Sequence, residues 1–181
     1  SGTIDADPNV RNFSYTVKDD VIYYRENSKM RVVKGGETAL ARIRALVPLR
    51  DTCRELINAQ LENFPDEYIK MLQARLNDQY DAYRKKYGLI NSRGTASAFR
   101  EDSGYFLLCS LEDLDDEGNF KGKTDMFTKR TIRPAQAVDH VDTAEESLAL
   151  SLSEQGHVDL GYMSKLTGKT TESIINDLTG I

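Results

Sequence analysis

Apolar and polar positions along this chain change period several times, and each change predicts an element. Phe13, Tyr15 and Val17 alternate with Asn12, Ser14, Thr16 and Lys18. A period of two with aromatic and β-branched residues on one face marks a half-buried strand. Together with Val21–Glu26 across Asp19-Asp20, it predicts a β-hairpin. Asp-Asp lacks the glycine that a tight two-residue turn prefers, so a longer loop is expected. Residues 3–12, with the breakers Asp7-Pro8 and Asn9, read as an extended lead-in.

After Gly35-Gly36 the period becomes helical. Leu40, Ile43, Val47, Leu49, Cys53, Leu56, Ile57, Leu61 and Phe64 recur at steps of three and four, with a slip at Leu49. Pro48 lies inside this run and predicts a kink or a split. Beyond Pro65-Asp66, Ile69, Leu72, Leu76, Tyr80, Tyr83 and Tyr87 form a second stripe that ends at the natural C-cap Gly88. Two long helices joined by so short a connection run antiparallel. Asn91–Thr95 reads as a loop, and Asp102 as the cap of a short helix carrying Tyr105, Phe106, Leu108 and Cys109. The run from Phe106 to Leu114 also fits a strand, with helix first preferred. Asp115-Asp116-Glu117-Gly118-Asn119 is a turn cluster. Phe120 to Ile132 reads as extended. Three short helices with glycine stops follow, capped by Thr143, Asp159 and Thr171. The expected fold is α+β and mostly α: an N-terminal β-hairpin, a long antiparallel helical hairpin, a short helix/strand segment and a C-terminal three-helix unit. Residues 1–134 are expected as one domain and 135–181 as a second, small and acidic.

Composition adds little to this picture until charge is divided by region. The chain has 181 residues, 39% of them hydrophobic, and a formal net charge of −5. No run of about 18 apolar residues predicts a membrane span, and the polar, acidic start reads as no signal peptide. Cys53 and Cys109 lie in apolar runs and read as buried thiols rather than a disulfide, which suits a reducing cytoplasm. From Ala135 onward there are two basic residues, Lys165 and Lys169, against eight acidic ones, a net of −6 that leaves +1 for residues 1–134. Within the first domain Arg84, Lys85, Lys86, Arg93 and Arg100 form one basic group. Lys121, Lys123, Lys129, Arg130 and Arg133 form another. Any contact with phosphates is expected from these, and the acidic C-terminal part is expected to avoid them.

Motifs for chemistry fail on inspection. Leu166-Thr167-Gly168-Lys169-Thr170-Thr171 has the look of a P-loop tail, but the glycine needed five residues earlier is Met163 and no strand precedes it. A helix C-cap followed by an N-cap explains it. The helix–turn–helix outline from Asp159 to Leu178 offers Glu172, Ser173, Asn176 and Asp177 on its second helix, and no basic residue to read bases or meet phosphates. A small packing bundle is therefore the preferred reading. His140 and His157 lack metal-ligand spacing. Asp113, Asp115, Asp116 and Glu117 lack the pattern of a calcium loop. No nucleophile elbow or paired base can be argued. No catalytic, cofactor-binding or metal residue is assigned, and no cofactor is expected.

Four ordered words carry a resemblance: Asp7-Pro8-Asn9-Val10-Arg11-Asn12-Phe13-Ser14-Tyr15, Tyr23-Tyr24-Arg25-Glu26-Asn27-Ser28, Tyr87-Gly88-Leu89-Ile90-Asn91, and Asp125-Met126-Phe127-Thr128-Lys129-Arg130-Thr131-Ile132. In this order they resemble an internal region of very large bacterial mobile-element and phage proteins that join an adenine-specific (N-6) DNA methylase to a Snf-type helicase. The similarity runs from about Thr3 to Ile181 and is looser between Asn91 and Phe99. It implies a cytoplasmic, non-catalytic module lying between methylase and helicase, which would be its partners. No Asn-Pro-Pro-Tyr or Asp-Pro-Pro-Tyr, Walker A loop or Asp-Glu-x-x box occurs, so no catalytic residue of that family carries over. Weak, non-specific DNA-backbone contact is expected through Arg84, Lys85, Lys86, Arg93, Arg100, Lys129, Arg130 and Arg133. The alternative is a protein-interaction or structural scaffold without DNA contact.

Overall fold

The computed structural model describes residues 2–134 and 138–180. The chain forms two compact units, Ser1–Pro134 and Ala135–Ile181. The expected boundary after Pro134 abuts residues 135–137, which lie outside the described residues.

The first unit opens with four antiparallel strands, β1 (Thr3–Asp5), β2 (Ser14–Lys18), β3 (Val21–Glu26) and β4 (Lys29–Val32), in the spatial order β1-β4-β3-β2. The sheet is thus larger than the predicted hairpin. The lead-in contributes β1, and Lys29–Val32 escaped notice because four residues are too few to show a period. The β2–β3 turn is tight: Lys18 pairs with Val21, and Asp19 and Asp20 both adopt left-handed backbone, at φ 50° and 64°. Aspartate tolerates that region better than most non-glycine residues, so no longer loop is needed.

The first two words of the resemblance lock to each other here. The Asn12 side-chain oxygen accepts from the Asn27 amide at 2.7 Å, and the Phe13 amide donates to the Arg25 carbonyl at 2.8 Å. The Arg25 guanidinium donates to the Asp7 and Val10 carbonyls. These residues serve the geometry of the sheet.

Helix α1 (Glu37–Leu61) and helix α2 (Asp66–Tyr87) form the antiparallel hairpin. Pro48 is exposed, and α1 continues through it as one helix. Burial of Leu46, Val47 and Leu49 on either side holds the helix together where local propensity would break it. The stripe of α2 packs as the spacing predicts: Leu72 and Leu76 are fully buried and Tyr80 and Tyr83 nearly so. On α1 the buried set adds Leu46 and Ala59. Leu61 and Phe64 are instead exposed, because the helix is ending there. Replacing Leu76 by Ala should destabilise the unit by roughly 2–5 kcal/mol, through lost burial plus the cavity left behind. A thermal melt unchanged by the substitution would place Leu76 outside the core.

Between α2 and Pro134 the chain is more regular than its sequence suggests. Residues expected as a loop start helix α3 (Arg93–Phe99), whose N-cap Ser92 accepts from the Thr95 amide. Short capped helices of this kind are set by one side-chain hydrogen bond and leave little periodic signal. Helix α4 (Tyr105–Cys109) is followed by β5 (Glu112–Leu114), so the ambiguous run is a helix and then a strand. Strand β5 pairs with β6 (Phe120–Lys123). The segment expected to stay extended to Ile132 leaves β6 for a 3-10 turn at Asp125–Phe127. It is then pinned by the helical hairpin. The Gln60 side-chain oxygen accepts from the Thr131 and Ile132 amides, and the Gln73 amide group donates to the Met126 and Lys129 carbonyls.

The second unit holds α5 (Ala144–Leu150), continued by one π-helical turn at Ser151–Gln155, then α6 (Leu160–Thr167) and α7 (Thr171–Thr179). Ala144, Met163 and Ile174 form its small core. Thr143 and Asp159 cap as expected. Thr170, one residue before the predicted position, caps α7 by accepting from the Ser173 amide. Gly168, at φ 70°, ends α6 in left-handed backbone, so the glycine of the apparent P-loop tail is a helix stop.

Candidate nucleic-acid interface

The basic residues singled out in the sequence are divided among α2, α3 and the segment from β6 to Pro134. Arg84, Lys85 and Lys86 occupy its last turn, where cations complement the helix dipole. The Arg84 guanidinium lies 3.9 Å from the Phe120 ring centroid and is half-buried, so its charge is partly spent on packing. Lys85 and Lys86 are exposed. Arg93 opens α3 and Arg100 closes it, both exposed. Of the other group, Arg130 stands at the start of α2, paired with Asp66 at 3.0 Å, and Arg133 lines the same concavity, whereas Lys123 pairs with Asp81 further along α2 and Lys121 with Asp113 on β5. Eighteen residues separate Asp66 from Arg84, about 27 Å along the axis at about 1.5 Å per residue. The eight candidates therefore do not converge on one point.

Pairing sorts them further. Lys129 pairs with Asp125 at 3.7 Å, with both side chains exposed, and such contacts are weak. Arg130 is turned inward: its side chain is 9% exposed and also donates to the Phe64 carbonyl. It is the one candidate whose charge is not offered to bulk solvent. Arg133 is exposed and has no acidic partner among the described residues.

Three cations that sequence order did not group with these stand beside them. Lys70, one helical turn after Asp66, is exposed next to Arg130 and Arg133. At the other end, the Arg42 guanidinium lies 5.5 Å from the Tyr87 ring centroid and against Gly94, where a Cβ would stand 1.5 Å from it. Glycine at position 94 leaves room for the guanidinium, which a Cβ there would push aside. Arg44 joins Lys86 in lining a concavity of about 500 Å³ with Ala41, Ala45, Ala82, Tyr83 and Tyr87. Neighbours in space but not in sequence leave no pattern to read.

The buried titratable groups of this unit serve structure. Burial, then the hydrogen bond to Glu112, pushes the Tyr80 phenol far up. Burial pushes the Cys53 thiol up to about 12 and raises Cys109 as well. Both are free thiols, Cys53 buried as expected and Cys109 only half-buried; both are held protonated at neutral pH, and a thiol is a poor nucleophile.

In the second unit, α6, the Gly168 turn and α7 have the order of a helix-turn-helix. Among the described residues of this unit there is no strand. The exposed positions of α7 include Glu172, Ile175, Asn176 and Asp177. Lys169, at the turn, pairs with Asp177 at 2.8 Å, and that carboxylate raises its pKa. The second helix thus offers phosphates no free cation.

A family model described as "Probable helicase, winged helix domain" matches residues 140–181. The C-terminal unit is therefore similar to a winged helix domain of a helicase, which supports a helicase-associated region. It also restores weight to the helix-turn-helix outline that the sequence reading set aside for lack of basic residues. No curated protein and no solved structure matches the chain. Among the described residues no helix is long and apolar enough to cross a membrane.

Proposed function

We propose that this chain is a non-catalytic accessory module of a DNA helicase protein, and that its first unit touches nucleic-acid backbone through the basic ends of α2. The observation that carries the reading is the winged-helix match over residues 140–181, together with Lys85, Lys86, Arg93, Arg100 and Arg133 of the first unit, which are exposed and have no acidic partner among the described residues. The finer proposal is that the parent protein also carries an N-6 adenine methylase, as the four ordered words suggest, and belongs to a bacterial mobile element. Those words are occupied with holding the fold, in keeping with a spacer that positions its neighbours. The module would work in the cytoplasm, where its DNA partner lies.

Division of labour follows from charge. The acidic second unit has α7 where a reading helix would stand, yet that helix carries Glu172 and Asp177. Docking on protein suits it better than entering a groove. This favours a second reading, a scaffold that makes no DNA contact at all.

Fluorescence anisotropy with unrelated duplexes separates the two. The expected result is weak, sequence-indifferent binding, no tighter than roughly 10⁻⁴–10⁻⁶ M at physiological salt, with log affinity falling by about 0.9 per log unit of salt for each neutralised phosphate. Replacing Lys85, Lys86 and Arg93 by Ala should weaken all duplexes alike and flatten that slope. No binding even at low salt would leave the scaffold reading. A thousandfold preference for one duplex would move the contact to α6 and α7.

A further inference from the structure

We propose that the concavity at the start of α2 is a phosphate-binding site. It holds about 200 Å³ and is lined by Asp66, Ile69, Lys70, Gln73, Thr128, Arg130 and Arg133. Pockets for nucleotide-sized ligands run from about 300 to 1,000 Å³, so this one suits a single phosphate group with a water or two. Three cations surround it against one carboxylate. That carboxylate, Asp66, is 82% exposed and bound to Arg130.

The Arg130 side chain makes the site more than a cluster of surface charge. It is nine-tenths buried, and its Nη2 serves Phe64 and Asp66, but its Nη1 is covered and has no hydrogen-bond partner among the described residues. A buried, unpaired donor on a cation is costly and calls for a partner. A guanidinium is suited to phosphate oxygens. Lys70 and Arg133 are exposed and have no acidic partner among the described residues, so their charges are available without breaking a bond. Thr128 adds a hydroxyl donor. Gln73 and Gln60 fix the 126–132 backbone, so the wall formed by Thr128 and Arg130 is rigid before a ligand arrives.

The proposal deepens the DNA-contact reading and rests on it for the source of the phosphate, a backbone phosphodiester. A free phosphate shares the same chemistry, and the experiment has an arm for each source. The first arm titrates the isotope-labelled chain with inorganic phosphate and follows amide resonances. Saturable shifts at Thr128, Lys129 and Arg130, abolished in a Lys70→Gln/Arg133→Gln variant, are expected. The second arm measures anisotropy of a DNA oligonucleotide. The same variant should bind about tenfold more weakly, with a salt slope flatter by about 1–2. A Lys18→Gln/Lys34→Gln variant, with the same change in net charge, should match the parent. Both pairs are exposed, so an unchanged melt confirms that folding is intact. Phosphate shifts at the site without any oligonucleotide binding would keep the site, assign it to free phosphate, and sink the DNA reading. No phosphate shifts together with an unchanged oligonucleotide titration in the Lys70/Arg133 variant would overturn the site while leaving DNA contact at Lys85, Lys86 and Arg93 standing.

Discussion

Replacing Asp102 by Ala should cost the first unit about 3–5 kcal/mol, the usual result of removing one partner from a buried ion pair. Asp102 is fully buried. Its Oδ2 accepts from Arg50 Nη1 at 2.6 Å and from the Tyr15 amide at 2.8 Å, and its Oδ1 accepts from the Gly104 amide at 2.7 Å. Arg50 is 5% exposed on its side chain and returns a bond to the Tyr15 carbonyl at 2.8 Å. Three elements thus meet at one pair: the sheet through β2, the helical hairpin through α1, and the turn before α4. Gly104 belongs to the same joint, since a Cβ there would stand 2.7 Å from the Arg50 side chain. In the Ala variant the guanidinium keeps only the exposed Asp51 and a carbonyl, and two amides lose their acceptor. Urea unfolding is the measurement. A loss under 1 kcal/mol would mean the pair is reached by water. Removing both charges with Arg50→Met/Asp102→Leu should cost less than the sum of the single changes, because neither charge is then left unpaired.

Glu112→Ala should cost on the order of 4 kcal/mol, since buried donors left without an acceptor lose about 1–3 kcal/mol each. The Glu112 carboxylate accepts from the Tyr80 hydroxyl at 2.6 Å, the Ile90 amide at 3.0 Å, and the Asn91 amide and side chain at 2.8 and 2.9 Å. It fastens β5 to the turn after α2, the turn that carries the third word of the resemblance. Glu112→Gln keeps an acceptor for part of this set and should lose less than Ala. Equal losses for the two variants would show that charge, rather than hydrogen bonding, holds the joint.

Neither carboxylate stands out in the sequence. Asp102 reads as one more helix cap, and Glu112 lies unmarked inside the Phe106–Leu114 run that fits helix or strand. Their roles depend on partners 52 and 87 residues away for Asp102, and 32 residues away for Tyr80 at Glu112. The candidate interface shows the same limit. Arg130 reads as an exposed cation because its neighbours are Lys129 and Thr131, yet Asp66 and Phe64 take it inward. Lys70 goes unremarked because no other cation is near it in sequence, although it stands beside Arg130 and Arg133.

The sequence alone determined what is periodic or local. The stripe from Ile69 to Tyr87 specifies α2 because only a helix places those side chains on one face. The Thr143 and Asp159 caps and the Gly88 and Gly168 stops specify helix ends because each acts within a few residues of itself. The net of −6 beyond Ala135 was equally legible, since charge needs no coordinates. Tertiary structure alone decided that Lys29–Val32 completes a sheet, that Pro48 does not split α1, and that Lys70 stands beside Arg130 and Arg133. A four-residue strand, a tolerated proline and a gathered set of cations all draw their stability or their meaning from segments distant in the chain. The free energy of those long-range contacts has no footprint in local pattern.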